Sequence, residues 1–300
     1  MTQTKCQNSL GATDSPMQNS DTIFSQCPIG CQSTLRNTNI HLPEGALQQC
    51  PECKQLLSSC TKTWFEQSMQ EFNVAEPTEK NRARYHRRMG EILQRAKRAL
   101  AYSVDQPKML DVGCSSGALL RVAQECHFEP HGVEPATEAA KTAKQLGFDV
   151  FPGYIQDAPF PDQHFDIITL FEVIEHLIEP SAVLNEVYRL LKPGGVFLIG
   201  TGNARSWTVQ IRRERWEYFD IRSHGGHISF FNPESLTKLG ESCGFHVQKI
   251  TTRRVNFSEK GEGTAISYAL NRVARELLEI PARALNKGHD MLAIMDKPRQ

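Results

Sequence analysis

The strongest constraint on the fold is an alternation of short apolar strands and helices that begins near residue 108. It opens with MLDVGCSSGALL (109–120), in which an apolar run ends in an acid, a glycine turn follows and a small-residue helix begins. Later runs such as FDIITLF (165–171) and GVFLIG (195–200) are mainly apolar, which is typical of strands buried on both faces. The sequence therefore predicts a mostly parallel sheet with helices on both faces.

The remaining segments complete this α/β pattern. KPGG (192–195) is a helix stop signal, and Asn232-Pro233 combines an N-cap residue with a proline in the first helical turn. Apolar periodicity predicts the other elements. They are strands at 108–112, 131–134, 149–151, FHVQKITT and HDMLAIMD, and helices at 81–101, 118–126, 137–146, 181–191 and 232–244.

Composition divides the chain into parts. Residues 1–25 are rich in Ser, Thr, Asn and Gln, so we expect them to be disordered. Residues 26–62 contain five cysteines and form a small module, and residues 79–300 form the α/β domain. Within that domain, residues 262–285 add an amphipathic helix, which we interpret as core or subunit contact, with peripheral membrane contact as the minority alternative. Its apolar side carries Ile266, Leu270, Val273 and Leu277.

Charge and hydropathy exclude several classes of protein. The chain has 34 basic and 34 acidic residues and a net charge of +0, which argues against a protein that coats nucleic acid through its overall field. It contains no run of about 18 apolar residues that could span a membrane. The polar N-terminus lacks the apolar core of a secretory signal. We therefore expect a cytoplasmic protein.

The cysteine-rich module indicates a metal site. In a reducing compartment, clustered cysteines suggest metal binding more than disulfides. Two short cysteine turns, 18 residues apart, suit a zinc ribbon with four thiolate ligands: Cys27-Pro-Ile-Gly-Cys31 and Cys50-Pro-Glu-Cys53. Cys60 could compete as a ligand. The alternative is a set of free thiols.

The glycine turn after the first strand of the α/β domain predicts a ligand. In open α/β sheets, ligands bind beyond the carboxyl ends of the strands. The run from Gly113 to Gly117 lacks both the Gly-x-Gly-x-x-Gly pattern for a pyrophosphate and the Gly-Lys-Ser/Thr of a phosphate loop. Glu134 ends the second strand, where its carboxylate can accept both hydrogen bonds of a ribose diol. A nucleoside without a pyrophosphate fits, and S-adenosylmethionine is such a ligand.

Residues from about 80 to 300 resemble the class I S-adenosylmethionine-dependent methyltransferases. Four segments carry the resemblance: LDVGCSSG, VEP, DAPFPDQHFDIITLFEVIEHLIEP and LLKPGGVFLIGTGN. WEYF, HISFF and NPESL resemble a subgroup that acts on sugars, lipids, quinones or other small metabolites. The resemblance implies a Rossmann-like fold with a seven-stranded, mostly parallel sheet whose last strand is antiparallel. Some sugar methyltransferases also carry a zinc module before this domain.

The same resemblance implies a set of cofactor-binding residues. It implies that Asp111, Gly113 and Gly117 shape the methionine pocket, that Glu134 holds the ribose and that Ile155 offers its backbone to adenine. Two departures from the family pattern are Ser115, in place of a frequent glycine, and Tyr154, in place of an acid. The full set is Asp111, Gly113, Cys114, Ser115, Gly117, Glu134, Pro135, Ile155, Gln156, Phe171 and Glu172.

Two histidines are candidates for the catalytic base at the acceptor end. A sulfonium methyl is already activated, so the enzyme mainly aligns a nucleophile with it and removes a proton. His176 follows the fourth strand of the domain and His227 follows the fifth, with His224 as a weaker candidate. The alternative is that these histidines pack or cap turns. The stretch RRERWEYFDIR (212–222) interleaves arginines with aromatic residues. It either binds an anionic acceptor or forms a solvated loop whose aromatic side chains pack inward. Nucleic-acid binding by this stretch is disfavoured.

A metal at the acceptor end is a further alternative. Glu172, Glu175 and His176 resemble a stretch of ubiquinone-pathway O-methyltransferases that has been associated with a divalent metal. We favour the simpler interpretation, in which Glu172 serves the cofactor and Glu175 is a solvated helix residue.

The sequence predicts methyl transfer from S-adenosylmethionine, most simply to an oxygen of a sugar, quinone, lipid-linked compound or secondary metabolite. Three alternatives stay open. These are C-methylation of a sugar, methylation of RNA or protein recruited by the cysteine module, and a cofactor-binding protein without chemistry.

Overall fold

The computed structural model describes residues 21–71, 79–221, 225–257 and 265–299. Most of the segment predicted to be disordered, His224 and residues 262–264 of the predicted insertion lie outside the described residues, as do the side chains of Ile266 and Leu270. The strands are β1 Arg36–Leu42, β2 Gly45–Gln49, β3 Leu56–Leu57, β4 Lys108–Val112, β5 Glu129–Val133, β6 Asp149–Phe151, β7 Phe165–Phe171, β8 Leu191–Gly202, β9 Ser229–Phe230, β10 His246–Arg253 and β11 Asp290–Asp296. The α-helices are α1 Lys62–Glu71, α2 Glu79–Ala99, α3 Ala118–Glu125, α4 Thr137–Gln145, α5 Pro180–Leu190, α6 Trp207–Arg212, α7 Pro233–Ser242 and α8 Ala265–Ala284.

Seven strands form the central sheet in the order β10-β11-β8-β7-β4-β5-β6. β11 runs antiparallel to β8 and β10, and the other neighbouring strands are parallel. The predicted Rossmann-like fold class is confirmed. The chain moves outward from β4 through β5 and β6, then returns to β7 on the other side of β4. The carboxyl end of β4 is therefore the switch point where this fold binds ligands.

Helices cover both faces of this sheet because successive strand residues point to opposite faces. Met109 and Ile167 belong to a core cluster with residues of α2 and α3, whereas Leu110 and Ile168 belong to a cluster with residues of α5 and α7. All four side chains are fully buried, and burying one such side chain stabilises the fold by about 1.5–3 kcal/mol. The apolar strands of the sequence are thus the middle layer of three.

The predicted start of α7 is confirmed. The Asn232 side chain accepts hydrogen bonds from the backbone N–H groups of Glu234 and Ser235, and the Ser235 hydroxyl accepts one from the Asn232 N–H. This reciprocal capping fixes where the chain turns into the helix. The sequence did not indicate α1, α6 or β9, which lie outside the regular strand–helix alternation.

A second, antiparallel sheet joins the cysteine module to the α/β domain. Its strand order is β1-β2-β3-β9, and β9 lies in the loop region after β8. Leu56 and Leu57 of β3 pair with Phe230 and Ser229 of β9. Leu47 and Leu56 share a core cluster with Trp216, Phe219 and Phe230. The cysteine module therefore has a common core with the residues that follow β8.

Candidate functional site

The glycine turn at the end of β4 depends on two left-handed residues. Gly113 has φ +77°, and a Cβ there would lie 2.5 Å from Val173 Cγ2. Gly117 has φ +86°, and its Cβ would lie 3.1 Å from Phe148 Cδ2. Residues that carry a side chain rarely adopt such φ values, so both positions require glycine. Ser115 has φ 48° as well, and its small side chain is exposed.

Glu134, at the end of β5, is held by the turns around it. Its Oε2 accepts a hydrogen bond of 2.8 Å from the Ser115 N–H, and its Oε1 accepts one of 2.8 Å from the Ala136 N–H. Its backbone N–H donates to Phe151 O, and its carbonyl accepts from the Gly153 N–H. A carboxylate oxygen can accept two hydrogen bonds, so each oxygen can still accept one from a ribose hydroxyl. The geometry fits the role expected from the sequence.

Asp111 lies buried at the end of β4, with 4% of its surface exposed. The Thr169 hydroxyl donates to its Oδ1 over 2.6 Å. Burial raises the pKa of Asp111 to about 7, and the negative charge of Glu134 adds to the rise, while the bond from Thr169 opposes it. A buried carboxyl of this kind ionises readily when a cation binds beside it. The sequence did not indicate Thr169 as its partner.

The other residues expected to bind the cofactor follow the ends of the neighbouring strands. Cys114 is buried in the glycine turn, and Pro135 is exposed after β5. Ile155 is buried in a 3-10 turn after β6, whereas the adjacent Gln156 is exposed. Tyr154 is 65% exposed. Phe171 is half-buried at the end of β7 and Glu172 follows it, so the strand order brings the expected set to one edge of the sheet.

Glu172 marks the boundary between this edge and the acceptor end. Its φ of 53° is unusual for a residue with a side chain and strains the backbone. The Glu172 N–H donates to Gly200 O over 2.9 Å, and the Tyr218 hydroxyl donates to Glu172 Oε2. The loop after β8 is thus bonded to the end of β7. No pattern in the sequence indicated Tyr218, because its contact depends on tertiary structure.

Glu175, His176 and His227 form a compact cluster whose ligating atoms lie within 4.8 Å of one another. Glu175 is 1% exposed; its Oε2 accepts from the Thr201 hydroxyl over 2.9 Å, and its Oε1 lies 3.6 Å from His227 Nε2. The expectation that Glu175 is a solvated helix residue is wrong: it lies in a short 3-10 turn that faces the core. Burial raises its pKa well above the ordinary range, and the Glu172 charge adds to this.

The two candidate histidines are neighbours. Their ring centroids are 4.7 Å apart, and His227 is buried whereas His176 is half-buried. His227 Nδ1 lies 3.1 Å from the Tyr218 carbonyl oxygen. A carbonyl only accepts, so Nδ1 carries the proton and Nε2 keeps its lone pair when the ring is neutral. His227 Nε2 faces Glu175.

Backbone hydrogen bonds from two directions fix the segment that carries His227. The Ile228 N–H donates to Glu175 O over 3.0 Å, and the Ser58 N–H donates to Ile228 O over 2.8 Å. The Gln55 side chain donates to the Ser229 hydroxyl over 2.8 Å. His227 is therefore held between the turn after β7 and β3 of the cysteine module.

The four cysteines of the module converge. The sulfurs of Cys27, Cys31, Cys50 and Cys53 lie within 4.8 Å of one another, and those of Cys27 and Cys53 are 3.6 Å apart. Four thiolates around a tetrahedral Zn²⁺ would be about 3.8 Å apart, so the set fits that ion. Cys60 lies in a different cluster and is not one of the four. Four thiolates this close repel one another unless a cation lies between them.

The stretch RRERWEYFDIR is largely structural in its described part. Arg212 is buried and donates from Nε and Nη2 to the Arg215 carbonyl oxygen, and Arg213 donates to Asn39 O over 3.0 Å. Trp216 and Phe219 are each 1% exposed. The aromatic side chains pack inward, as in the solvated-loop interpretation. Arg212 and Arg213 stabilise the local backbone by donating hydrogen bonds to its carbonyl oxygens.

The amphipathic helix α8 exposes part of its apolar side. Val273 is 56% exposed and Leu277 is 72% exposed, so neither side chain belongs to the core of this chain. Across the described part of the chain, no helix is both long enough and apolar enough to span a bilayer.

Comparison with known proteins agrees with this geometry. Residues 82–250 match the methyltransferase-domain family. A protein of Mycolicibacterium smegmatis named "Probable S-adenosylmethionine-dependent methyltransferase" is 29% identical over 50% of this chain and 56% of its own length. A ubiquinone biosynthesis O-methyltransferase of Thiobacillus denitrificans is 26% identical over 50% of this chain and 68% of its own. The chain spans little more than half the length of the first relative.

A solved structure also shares the fold. It is an S-adenosylmethionine-dependent methyltransferase of Archaeoglobus fulgidus, with a TM-score of 0.52 and 23% identity over 72% of this chain and 94% of that one. The family match takes in more than half of the chain. The chain therefore belongs to the methyltransferase-domain family and has the fold of the S-adenosylmethionine-dependent methyltransferases.

Proposed function

We propose that this protein transfers a methyl group from S-adenosylmethionine to a hydroxyl oxygen of a small molecule. One observation carries the proposal: Glu134 at the end of β5 and the Glu175–His176–His227 cluster after β7 lie at the same carboxyl edge of the sheet, on either side of β4. A methyl donor whose ribose is bound by Glu134 would direct its sulfonium toward that cluster. The ubiquinone O-methyltransferases among the relatives favour oxygen as the acceptor, and a quinone as one candidate.

In this proposal the residues at the ends of β4, β5, β6 and β7 hold the cofactor. Glu134 accepts both ribose hydroxyl hydrogens, and Asp111 in its ionised form balances the positive charge of the methionine end. The remaining contacts come from the glycine turn and the strand ends. They are Gly113, Cys114, Ser115, Gly117, Pro135, Ile155, Gln156, Phe171 and Glu172. When bound, the cofactor supplies an electrophilic methyl, and the protein aligns the acceptor oxygen with it.

The histidines take the proton. When the acceptor oxygen receives the methyl group, the carbon–sulfur bond of the donor would break and the sulfonium would become a neutral thioether, which leaves the hydroxyl proton for the protein to remove. The hydroxyl proton passes to the lone pair of His227 Nε2 or to His176, and an ionised Glu175 at 3.6 Å stabilises the resulting imidazolium. This step requires Glu175 to be ionised, and burial opposes that by raising the pKa of Glu175.

We further propose that Cys27, Cys31, Cys50 and Cys53 hold a structural Zn²⁺. Lys238 of α7 donates to Cys31 Sγ over 3.1 Å, which ties the proposed site to the α/β domain. Residues 26–62 then act as one wall of the acceptor end, because β3 pairs with the segment that follows His227. This arrangement favours a positioning role over recruitment of RNA or protein.

Zinc analysis of untagged protein tests this part. We expect about one zinc per chain in the wild type and less than a tenth of that in Cys50→Ser. In Cys50→Ser, the histidine NMR resonances of the acceptor end should shift while S-adenosylhomocysteine binding persists. Cys60→Ser is the matched control and should keep its zinc. Zinc absent from the wild type would reject the site.

The methyl-transfer proposal is tested with S-adenosylmethionine carrying an isotopically labelled methyl. Incubation with a small-molecule extract of the source cells, followed by mass spectrometry, should give a labelled oxygen-methylated product. A label on carbon would select the sugar C-methylation alternative, and a label on RNA or protein would select a macromolecular acceptor. Tight binding of S-adenosylhomocysteine with no labelled product would indicate a cofactor-binding protein.

A further inference from the structure

A pocket of about 430 Å³ between α2, α8 and the end of β10 is lined mainly by arginines. These elements are far apart in sequence, so the fold itself assembles the cluster. Among the residues that the structure describes, the lining consists of Arg84, Arg87, Arg88, Arg253, Arg254 and Arg275, together with the acids Glu91 and Glu279. The formal charge of these described lining residues is therefore strongly positive, although the whole chain has a net charge of +0.

The positive charge is only partly balanced. Arg88 and Arg254 share the Asp290 carboxylate, at 3.7 Å and 3.4 Å. Over the described ranges of the chain, no carboxylate lies within 4.0 Å of the guanidinium nitrogens of the other four arginines of the lining. Burial lowers the pKa of Arg253, and the nearby charges of Arg95, Arg283 and Arg88 contribute. An anion in the pocket would relieve this repulsion.

The pocket lies at the same edge of the sheet as the methyl-transfer site. Because β11 is antiparallel to β8 and β10, the end of β10 lies beside the end of β8: Arg253 pairs with Asp290, and Asp290 pairs with Gly202. The end of β10 thus brings the arginine pocket to the sheet edge that carries the proposed methyl-transfer site.

We propose that this pocket binds an anionic group of the methyl acceptor, either a phosphate or a carboxylate. Arginine suits both groups because its planar guanidinium donates two parallel hydrogen bonds to them. The acceptor hydroxyl lies at the Glu175–His227 cluster while the anionic end of the same molecule occupies the arginine pocket. The inference rests on the proposed methyl transfer and narrows its acceptor to an anionic metabolite.

Calorimetric titration of the full-length protein with inorganic pyrophosphate tests the pocket without knowledge of the acceptor. The test variant is Arg87→Gln/Arg275→Gln, since both side chains are exposed and neither has a carboxylate partner among the described residues. The matched control is Arg121→Gln, an exposed arginine of α3. We expect the wild type to bind one pyrophosphate per chain saturably, and the control to bind it with the same affinity. The double variant should bind it about ten-fold more weakly, a loss of about 1.4 kcal/mol in binding free energy.

Two results of the titration overturn the proposal: no saturable binding to the wild type, or an equal loss in Arg121→Gln, which would show a general charge effect. Flotation with vesicles of phosphatidylcholine and phosphatidylglycerol distinguishes a lipid surface. Flotation that depends on Arg87 and Arg275, without pyrophosphate binding, would make the pocket a membrane contact and overturn the assignment to a metabolite.

The methyl-labelling experiment separates this inference from the proposed function. A labelled product retained on an anion-exchange column supports an anionic acceptor, whereas a neutral labelled product overturns it and leaves methyl transfer established. Pyrophosphate binding with no labelled product supports the anion pocket and overturns the methyl transfer.

Discussion

Replacing Asp111 with Asn should stabilise the protein at neutral and alkaline pH while weakening cofactor binding. Burial raises the pKa of Asp111 from 3.8 to about 7, so the folded state disfavours the ionised form. Above both values, ionisation in the folded state costs about 4 kcal/mol relative to the unfolded chain. The amide introduced by Asp111→Asn has no charge to bury, and its oxygen can still accept the Thr169 hydrogen bond.

The sign of the effect follows from the raised pKa. The unfolded chain releases this proton near 3.8 and the folded chain only near 7, so the wild type loses stability as the pH rises through that window. Near pH 4 the two proteins should unfold alike. Near pH 8 the Asp111→Asn protein should be more stable by up to about 4 kcal/mol.

The assay is urea unfolding at several pH values, with Asp105→Asn, an exposed carboxyl, as the control. Titration with S-adenosylmethionine completes it: the cationic cofactor should stabilise the wild type more than Asp111→Asn. If the difference in unfolding free energy between Asp111→Asn and the wild type were the same at pH 4 and pH 8, the assignment of Asp111 as a buried acid with a raised pKa would be refuted.

Three further predictions concern the turn and the acceptor cluster. Gly113→Ala should destabilise the protein by about 1–3 kcal/mol and abolish cofactor binding, because residue 113 has a left-handed φ and the new Cβ would collide with Val173. Adding Val173→Ala removes the collision but not the φ strain, so it should restore only part of the stability. Complete recovery would show that the φ value is unimportant. His227→Gln should lower turnover by about 10²-fold with cofactor affinity unchanged, and unaltered turnover would remove His227 from the mechanism. Since burial raises the pKa of Glu175, the wild-type rate should increase with pH as Glu175 loses its proton. Glu175→Gln should flatten that profile, and an unchanged profile would assign the titration to another group.

The sequence predicted the α/β domain because its signals are local. Apolar runs, a helix stop at KPGG and the Asn232 cap each act within a few residues, and the structure has the corresponding strands and helices. The two cysteine turns likewise act through short spacing, so the convergence of four sulfurs could be expected.

Contacts between distant segments could not be expected. Thr169 beside Asp111, Tyr218 on Glu172 and the pairing of β3 with β9 each join residues that only the folded chain brings together. Glu175 illustrates the limit best. Its position in EVIEHL suggested a solvated helix, whereas the chain forms a tight turn there that places the carboxyl next to Thr201 in the core.

The most direct test is methyl transfer itself, measured with labelled S-adenosylmethionine and a small-molecule extract, with Glu134→Gln as the control. The amide retains the shape of the carboxylate but cannot accept both ribose hydroxyl hydrogens, so this variant should lose the label. The proposal predicts a labelled, oxygen-methylated, anionic metabolite in the wild type alone. Equal labelling by the Glu134→Gln variant, or no labelled product despite tight S-adenosylhomocysteine binding, would contradict it.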